Sequence, residues 1–405
     1  MALHHPVIDA DTHYYEPRDA FNRHLDRKHW EKGIRVVRDE HGREQVLVGH
    51  RLVRFIIPEF ETTTRPGALR EMLRRMSTGD FKESDARQSI QPEYRDRNAR
   101  LAKMDGQGIT ASLLLPTIAV GIEHYMRDDV QQTYLNLQAF NEWLDEDWGF
   151  HYQDRIFAVP LVSLLDVDNA VKQLEWLLNR GARIIHIRPG PTGNGHSPAD
   201  PIYDPFWARV NEAGIAVACH ISESGYNELL SPLWGEYPYP SSHKQSALQW
   251  SCFMGDRPIM EMISALIFHN LFGRYPNVKV LSVENGSLWV PYLLKQMDKM
   301  NGMGRNGPWL GGRLAHRPSE IFKQHVFVSP YHEEDIKALV ALIGAERVVF
   351  GSDFPHPEGL AEPLEFADAL EGLPSEAIRS IMFDNANQLL GGVITADQSI
   401  PAMSG

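Results

Sequence analysis

The sequence predicts an α/β fold, a (β/α)8 TIM barrel with long insertions after its first and fifth strands. Two observations carry that reading. Short apolar runs alternate with segments of helical periodicity, which marks a parallel sheet with crossover helices. Histidines and carboxylates fall at the C-terminal ends of those runs, where a barrel builds its active site.

In chain order, strands are predicted near Val7–Asp11, Ala111–Leu115, Ile156–Val162, Arg183–Ile187, Ile215–His220, Val278–Val283, Val326–Ser329 and Arg347–Gly351. Eight such units favour a closed barrel over an open doubly wound sheet. The helix after the third strand is the clearest. Ala170, Val171, Leu174, Leu177 and Leu178 share one face of it. Asp166 or Asp168 can cap its start, and Gly181 suits a left-handed residue at its end. A second helical pattern, Met262, Ala265, Leu266, His269 and Phe272, precedes Pro276 and the sixth strand. His269 lies on its apolar face and reads as a core histidine.

Two stretches break the repeat. Residues 20–100 are charge-rich and mixed, and residues 222–260 are rich in Pro, Tyr, Trp and Ser. Loops after strands lie on the catalytic face. Each insertion is therefore read as a lid or an oligomer contact, with surface decoration as the alternative. Exposed aromatics such as Trp234, Tyr237 and Tyr239 point to a homo- or hetero-oligomer. One domain is expected over residues 1–395, with a tail at 396–405.

The bulk numbers fit a globular enzyme. Of 405 residues, 43% are hydrophobic and 23% charged. The formal net charge of -13 leaves no cationic excess for phosphate backbones, so nucleic acid is not an expected partner. An anionic membrane is disfavoured on the same ground. The only cysteines, Cys219 and Cys252, make no disulfide framework and fit a reducing compartment. Neither a signal peptide nor a long apolar run is visible, so a cytoplasmic location is expected.

The chemistry sits at strand ends. The first strand runs Ile-Asp-Ala-Asp-Thr-His, and alternation puts Asp11 and His13 on one side. The fifth ends on His220, the sixth on Glu284 and the eighth on Asp353, followed by Phe-Pro-His356. Each alone has a plain reading as a satisfied strand-end group or a helix cap. Together they converge at one rim. Buried charge of that density needs a compensating cation, and these are suitable N and O ligands.

These residues resemble the amidohydrolase superfamily, in the amidohydrolase-related subgroup that includes decarboxylases of aromatic and related acids. The resemblance runs from about Pro6 to about Leu390. It is carried by IDADTHYYEP, LAKMDGQGITASLLLPT, ARIIHIRPGP, ACHISESG, FGRYPNVKVLSVENGSLWVPYLL, VVFGSDFPHPEG and IMFDNANQLL. It implies a barrel with a mononuclear or dinuclear centre whose ligands here are Asp11, His13, His220 and Asp353. Two positions depart from the family pattern. Asp11 stands where a His is usual, and Glu284 stands where many members have a sixth-strand His. Glu284 is thus a fifth expected ligand. The carboxylate-rich set tilts the expected metal, one or two ions, from Zn²⁺ towards Mn²⁺ or Fe²⁺.

Asp353, Glu284 and His186 are the expected catalytic groups. Arg188 is expected to bind a substrate carboxylate, with pairing to a barrel carboxylate such as Asp9 as the alternative. His243 and His356 are read as rim proton carriers and Glu16 as a partner to a ligand His. The expected function is that of a metal-dependent hydrolase or carboxy-lyase acting on a small, carboxylate-bearing molecule. The alternatives are an O2-activating di-metal hydroxylase on the same barrel, as in a few relatives of the subgroup, and a non-catalytic partner subunit.

Overall fold

In the computed structural model, which describes residues 3–79 and 86–395, the apolar runs form the predicted parallel barrel. The expected tail at 396–405 lies outside the described residues, as do residues 80–85 of the first insertion. The first strand, Ile8–Tyr14, pairs in parallel with Ala111–Pro116, which pairs with Ile156–Ala158. A second parallel sheet runs from Leu161–Val162 through Ile184–Ile187, Ala216–His220 and Val280–Val283 to Val326–Val328.

Two of the predicted strands differ from expectation. The third is split into two short strands around Pro160, which has no N–H to give a ladder. The eighth, expected at Arg347–Gly351, forms no regular strand. Its extended backbone still joins the two sheets. Val349 N donates to Val328 O at 2.9 Å on one side, and Ala10 N donates to Phe350 O at 2.9 Å on the other. Gly351 makes this approach possible, because a Cβ there would meet Asp11 Cβ and Ser329 Oγ at 2.6 Å.

The barrel interior is apolar at its N-terminal end. Ile8, Ala10, Leu113, Phe157, Ala218, Leu281, Phe327 and Val349 fill it, and Phe383, Leu389 and Ile394 close it from below. The opposite faces of the strands pack against the surrounding helices in one continuous outer core. The helix Val167–Asn179 shows the local logic. Asp166 caps it by accepting from Asn169 N, while Ala170, Leu174 and Leu177 are buried. The second helical pattern is interrupted. Helix Arg257–Phe268 ends at His269, and Asn270 turns left-handed before Leu271–Arg274. His269 is half-buried there, its Nδ1 2.7 Å from Ser197 Oγ.

The first insertion is more β-rich than its mixed composition suggests. Ile34–Arg38, Glu44–Val48 and Arg51–Leu52 form an antiparallel sheet, and Thr62–Thr64 pairs with Arg87–Ser89. The helix Leu69–Ser77 lies between the last two. The second insertion is a set of short helical turns from Tyr226–Leu230 to Trp250–Met254. The two insertions meet where Ser242 N donates to Phe55 O at 2.7 Å. The first also reaches the loop after Asp353, where Leu69 N donates to Pro357 O at 2.9 Å.

Candidate metal centre

The first strand delivers two side chains to the centre by bulging. Its register against Ala111–Pro116 shifts between Asp9 and Thr12. Ala10 therefore packs into the barrel interior while Asp11 and His13 also face the centre. Simple alternation gives the right pair but misses the extra residue. Asp9, on the same stretch, accepts from Ser352 N at 2.9 Å and Asp11 N at 3.2 Å. It ties the first strand to the eighth segment, and burial raises its pKa to about 7. The barrel carboxylate that faces Arg188 is Glu123, at 3.8 Å, rather than Asp9.

Around His13 Nε2 stand Asp11 Oδ1 at 3.3 Å, Asp353 Oδ1 at 3.3 Å, Glu284 Oε2 at 3.5 Å and His220 Nε2 at 3.3 Å. His220 Nε2 is also 2.8 Å from Glu284 Oε2. Two overlapping groups of four can hold a cation: Asp11, His13, His220 and Glu284, and His13, Glu284, Asp353 and His356. The sequence read His356 only as a proton carrier. Its Asp-x-x-His spacing from Asp353 was the available signal.

The donor set fits a divalent metal. Both ligand imidazoles have the far nitrogen held by a backbone carbonyl, His13 Nδ1 by Pro116 O at 3.1 Å and His220 Nδ1 by Ile221 O at 2.7 Å. Those bonds place a proton on Nδ1 and turn Nε2, the atom a metal would take, into the centre. Asp11 Oδ1 and Glu284 Oε2 are buried with no hydrogen-bond donor. Buried carboxylate oxygens at this density are costly unless positive charge joins them, whether a proton on His13 or a metal ion.

The centre is strained and electrostatically coupled. Glu284 and Asp353 hold positive φ angles of 53° and 57°. Such backbone costs on the order of 1–3 kcal/mol and clusters at functional sites. Burial and the neighbouring Glu284 hold the Asp353 carboxyl well above the usual range. Burial works against charge on His13, yet Asp11 and Glu284 bring its pKa up to about 10. Glu284 is driven the other way: burial opposes its charge, but His220 and His13 outweigh that and lower its pKa.

A polar relay adjoins Asp353. His356 Nδ1 lies 2.7 Å from Asp353 Oδ1, and His356 Nε2 lies 3.0 Å from Thr117 Oγ1. Thr117 gives its single hydroxyl proton to Tyr14 O at 2.7 Å, so it accepts from His356 Nε2–H. The neutral ring then offers Nδ1 as an acceptor to a protonated Asp353. The opposite rim is braced by Glu334, which accepts from Ser287 N and Tyr331 N, while Tyr331 Oη donates to Glu284 O. Gly286 is required there, since a Cβ would meet the Tyr331 ring at 2.7 Å.

Three expected residues take other places. His186 is buried behind the centre and outside both ligand groups, with Nε2 3.4 Å from Ser222 Oγ. Ser222 in turn donates to His220 O at 2.8 Å, so His186 backs His220 through Ser222. Burial depresses its pKa to about 3. The Arg188 fork is engaged by the protein itself. Its Nη atoms donate to Ser224 O at 3.3 Å and Pro191 O at 2.9 Å, and Nε faces Glu123 at 3.8 Å. That geometry ties Arg188 to three barrel loops, while its Nε has no hydrogen-bond acceptor among the described residues. Glu16 does not touch a ligand His. Both its oxygens accept from Ile118 N at 3.0 Å, and Oε1 accepts from Ala119 N at 2.9 Å. His243 is exposed on the short turn Ser242–Lys244.

A parallel barrel with imidazoles and carboxylates converging at its C-terminal mouth is the class of barrel whose mouth can hold a metal ion. The amidohydrolase family model matches residues 8–392, and the chain belongs to that family. It is similar to an amidohydrolase from Mycobacterium avium subsp. paratuberculosis K-10, with 37% identity and a TM-score of 0.85 over 96% of this chain and 100% of that one. A dihydroxybenzoic acid decarboxylase from Polaromonas sp. JS666, crystallised with manganese, shares the fold at 15% identity. Its TM-score is 0.61 over 96% of this chain and 98% of that one. A curated relative is 2-amino-3-carboxymuconate-6-semialdehyde decarboxylase of Dictyostelium discoideum, 24% identical over 206 residues. That match covers 51% of this chain and 53% of the relative, so the chain spans about half the relative's length. No helix among the described residues is long and apolar enough to cross a membrane.

Proposed function

We propose that the protein is a metal-dependent carboxy-lyase acting on a small carboxylate-bearing organic acid, with metal-dependent hydrolysis on the same centre as the sister chemistry. The observation that carries this reading is the convergence of Asp11, His13, His220, Glu284 and Asp353, with the Nδ1 atoms of both imidazoles held by backbone carbonyls and Nε2 turned to the centre. The decarboxylase relatives support the lyase branch, and the manganese of one of them suits this carboxylate-rich set.

Bound at this centre, a divalent cation supplies Lewis-acid charge to a substrate carboxylate or carbonyl. The chain's residues do the remainder. Asp11, His13, His220 and Glu284 fix the cation's place. Asp353 carries a proton at Oδ1, and His356 Nδ1 holds or takes it, with Thr117 fixing the ring. When the C–C bond to the carboxylate breaks, CO2 leaves and the bonding pair stays on the substrate carbon. Asp353 is the acid that protonates that carbon. Arg188 binds protein oxygens through its Nη atoms, and its Nε is the donor it keeps for a substrate carboxylate.

The test is a screen of hydroxylated benzoic acids for CO2 release by the Mn²⁺-loaded protein. The expected result is turnover in the parent and loss of turnover in Asp353→Asn. A second reading, an O2-activating di-metal hydroxylase, is favoured by Glu284, a carboxylate that belongs to both four-residue groups and has two oxygens with which to bridge ions. Two equivalents of iron or manganese per chain with O2 uptake and no CO2 release would replace the first reading by this one. A complex whose activity is unchanged by Asp353→Ala in this chain would favour the partner-subunit reading. The exposed Trp234, Tyr237 and Tyr239 of the second insertion support a working oligomer, which the mass in solution tests.

A further inference from the structure

Three consecutive residues at the end of the second barrel strand share an uncommon set of duties. The Pro116 carbonyl holds His13 Nδ1 at 3.1 Å. The Thr117 hydroxyl holds His356 Nε2 at 3.0 Å. The Ile118 N–H donates to both oxygens of Glu16 at 3.0 Å, and the next N–H, of Ala119, donates to Oε1 at 2.9 Å. One turn thus orients two imidazoles of the centre, and a single carboxylate fastens that turn. Glu16 is fully buried.

We propose that Glu16 is a positioning residue for the metal centre, pinning the 116–119 turn so that Pro116 and Thr117 aim the His13 and His356 rings. The proposal rests on the metal-centre reading given above. A buried carboxylate is an expensive way to tie a loop, because desolvation opposes it. A carboxylate is nonetheless the suitable group. It is acceptor-only, and here it faces backbone donors alone. An amide in its place would turn an NH2 group towards those same N–H groups. Glu16 acts at one remove from the cation, like the outer partners that fix ligand imidazoles in metal sites, whose loss costs about 10–100-fold in metal affinity or activity. A purely structural tie would instead lower stability and leave the metal's surroundings unaltered once folded.

The test uses the full-length chain freed of metal by chelation. Mn²⁺ is titrated calorimetrically into the parent, Glu16→Gln, His13→Ala and the double variant, and the visible spectrum of added Co²⁺ reports ligand geometry. The expected result is a fall in Mn²⁺ affinity of about 10–100-fold for Glu16→Gln, with shifted Co²⁺ bands. Most of that loss should vanish in the His13→Ala background, because the ring being aimed is gone. Thr117→Val, which keeps the Glu16 tie, should shift the Co²⁺ bands by freeing His356. If Glu16→Gln does not fold, Glu16→Asp is judged by the same readings, with a smaller loss expected. Parental Mn²⁺ affinity and Co²⁺ bands in the Glu16 variant overturn the proposal alone, as does an undiminished loss in the His13→Ala background. A parent that binds neither ion overturns the metal-centre reading and this proposal together.

Discussion

The two ends of the barrel are built by the same strands and obey opposite rules. At the N-terminal end, Ala10, Ala218, Leu281, Phe327 and Val349 meet in an apolar interior sealed by Phe383 and Leu389. At the C-terminal end, a few residues along the same strands, Asp11, His13, His220, Glu284 and Asp353 crowd together with two orphaned carboxylate oxygens and two left-handed backbones. The floor gains stability from burial and dense packing. The mouth gives some of it up to hold charge in a fixed arrangement. Function in this molecule is found where the local rules of folding are broken.

The largest expected effect breaks the floor. Phe327→Ala removes a fully buried ring and should cost about 3–5 kcal/mol in denaturant unfolding. Molecules that remain folded should keep parental Mn²⁺ affinity. Metal removal probes the mouth. Stripping Mn²⁺ present at about 100 times its Kd should lower stability by about 2.7 kcal/mol, read as a drop in Tm. A Tm indifferent to chelator would argue that nothing binds there.

Asp353→Asn sharpens the contrast. Asparagine tolerates the left-handed backbone at φ 57° and carries no charge. The raised pKa of Asp353 means that the metal-free parent loses stability as pH rises through it, whereas the variant does not. The variant should therefore be more stable than the metal-free parent by about 1 kcal/mol at high pH, with the gain shrinking towards pH 5, while losing turnover. Denaturant curves at several pH values check the sign. The smallest effect at neutral pH concerns His186. Its depressed pKa lets the unfolded chain bind the extra proton first, so parental stability falls as pH drops from about 6.5 towards about 3. His186→Gln should flatten part of that acid limb and change little at pH 8.

Much of the mouth was legible in the sequence because strand ends in a parallel barrel converge whatever the loops do. Asp11, His13, His220, Glu284 and Asp353 could be placed from that rule and the family resemblance. The bulge in the first strand could not, since one extra residue leaves no mark in an apolar pattern. Nor could the roles of His186, Arg188 and Glu16. All three are polar residues near strand ends, but what each touches is set by loops distant in sequence: Ser222 for His186, Pro191 and Ser224 for Arg188, Ile118 and Ala119 for Glu16. The first insertion's antiparallel sheet was hidden by its charge, because exposed strands of that kind bury only one face. The eighth strand was read from its apolar run, yet its pairing is completed by single hydrogen bonds rather than a ladder.

The central claim is that these strand-end residues hold one catalytic cation. Equilibrium titration of Mn²⁺ into chelator-treated parent, His220→Ala and Glu284→Ala tests it most directly. The expected result is about one tightly bound ion in the parent and a loss of more than about 100-fold in each variant, beyond what removal of an outer partner produces. Parental affinity in both variants would contradict the assignment.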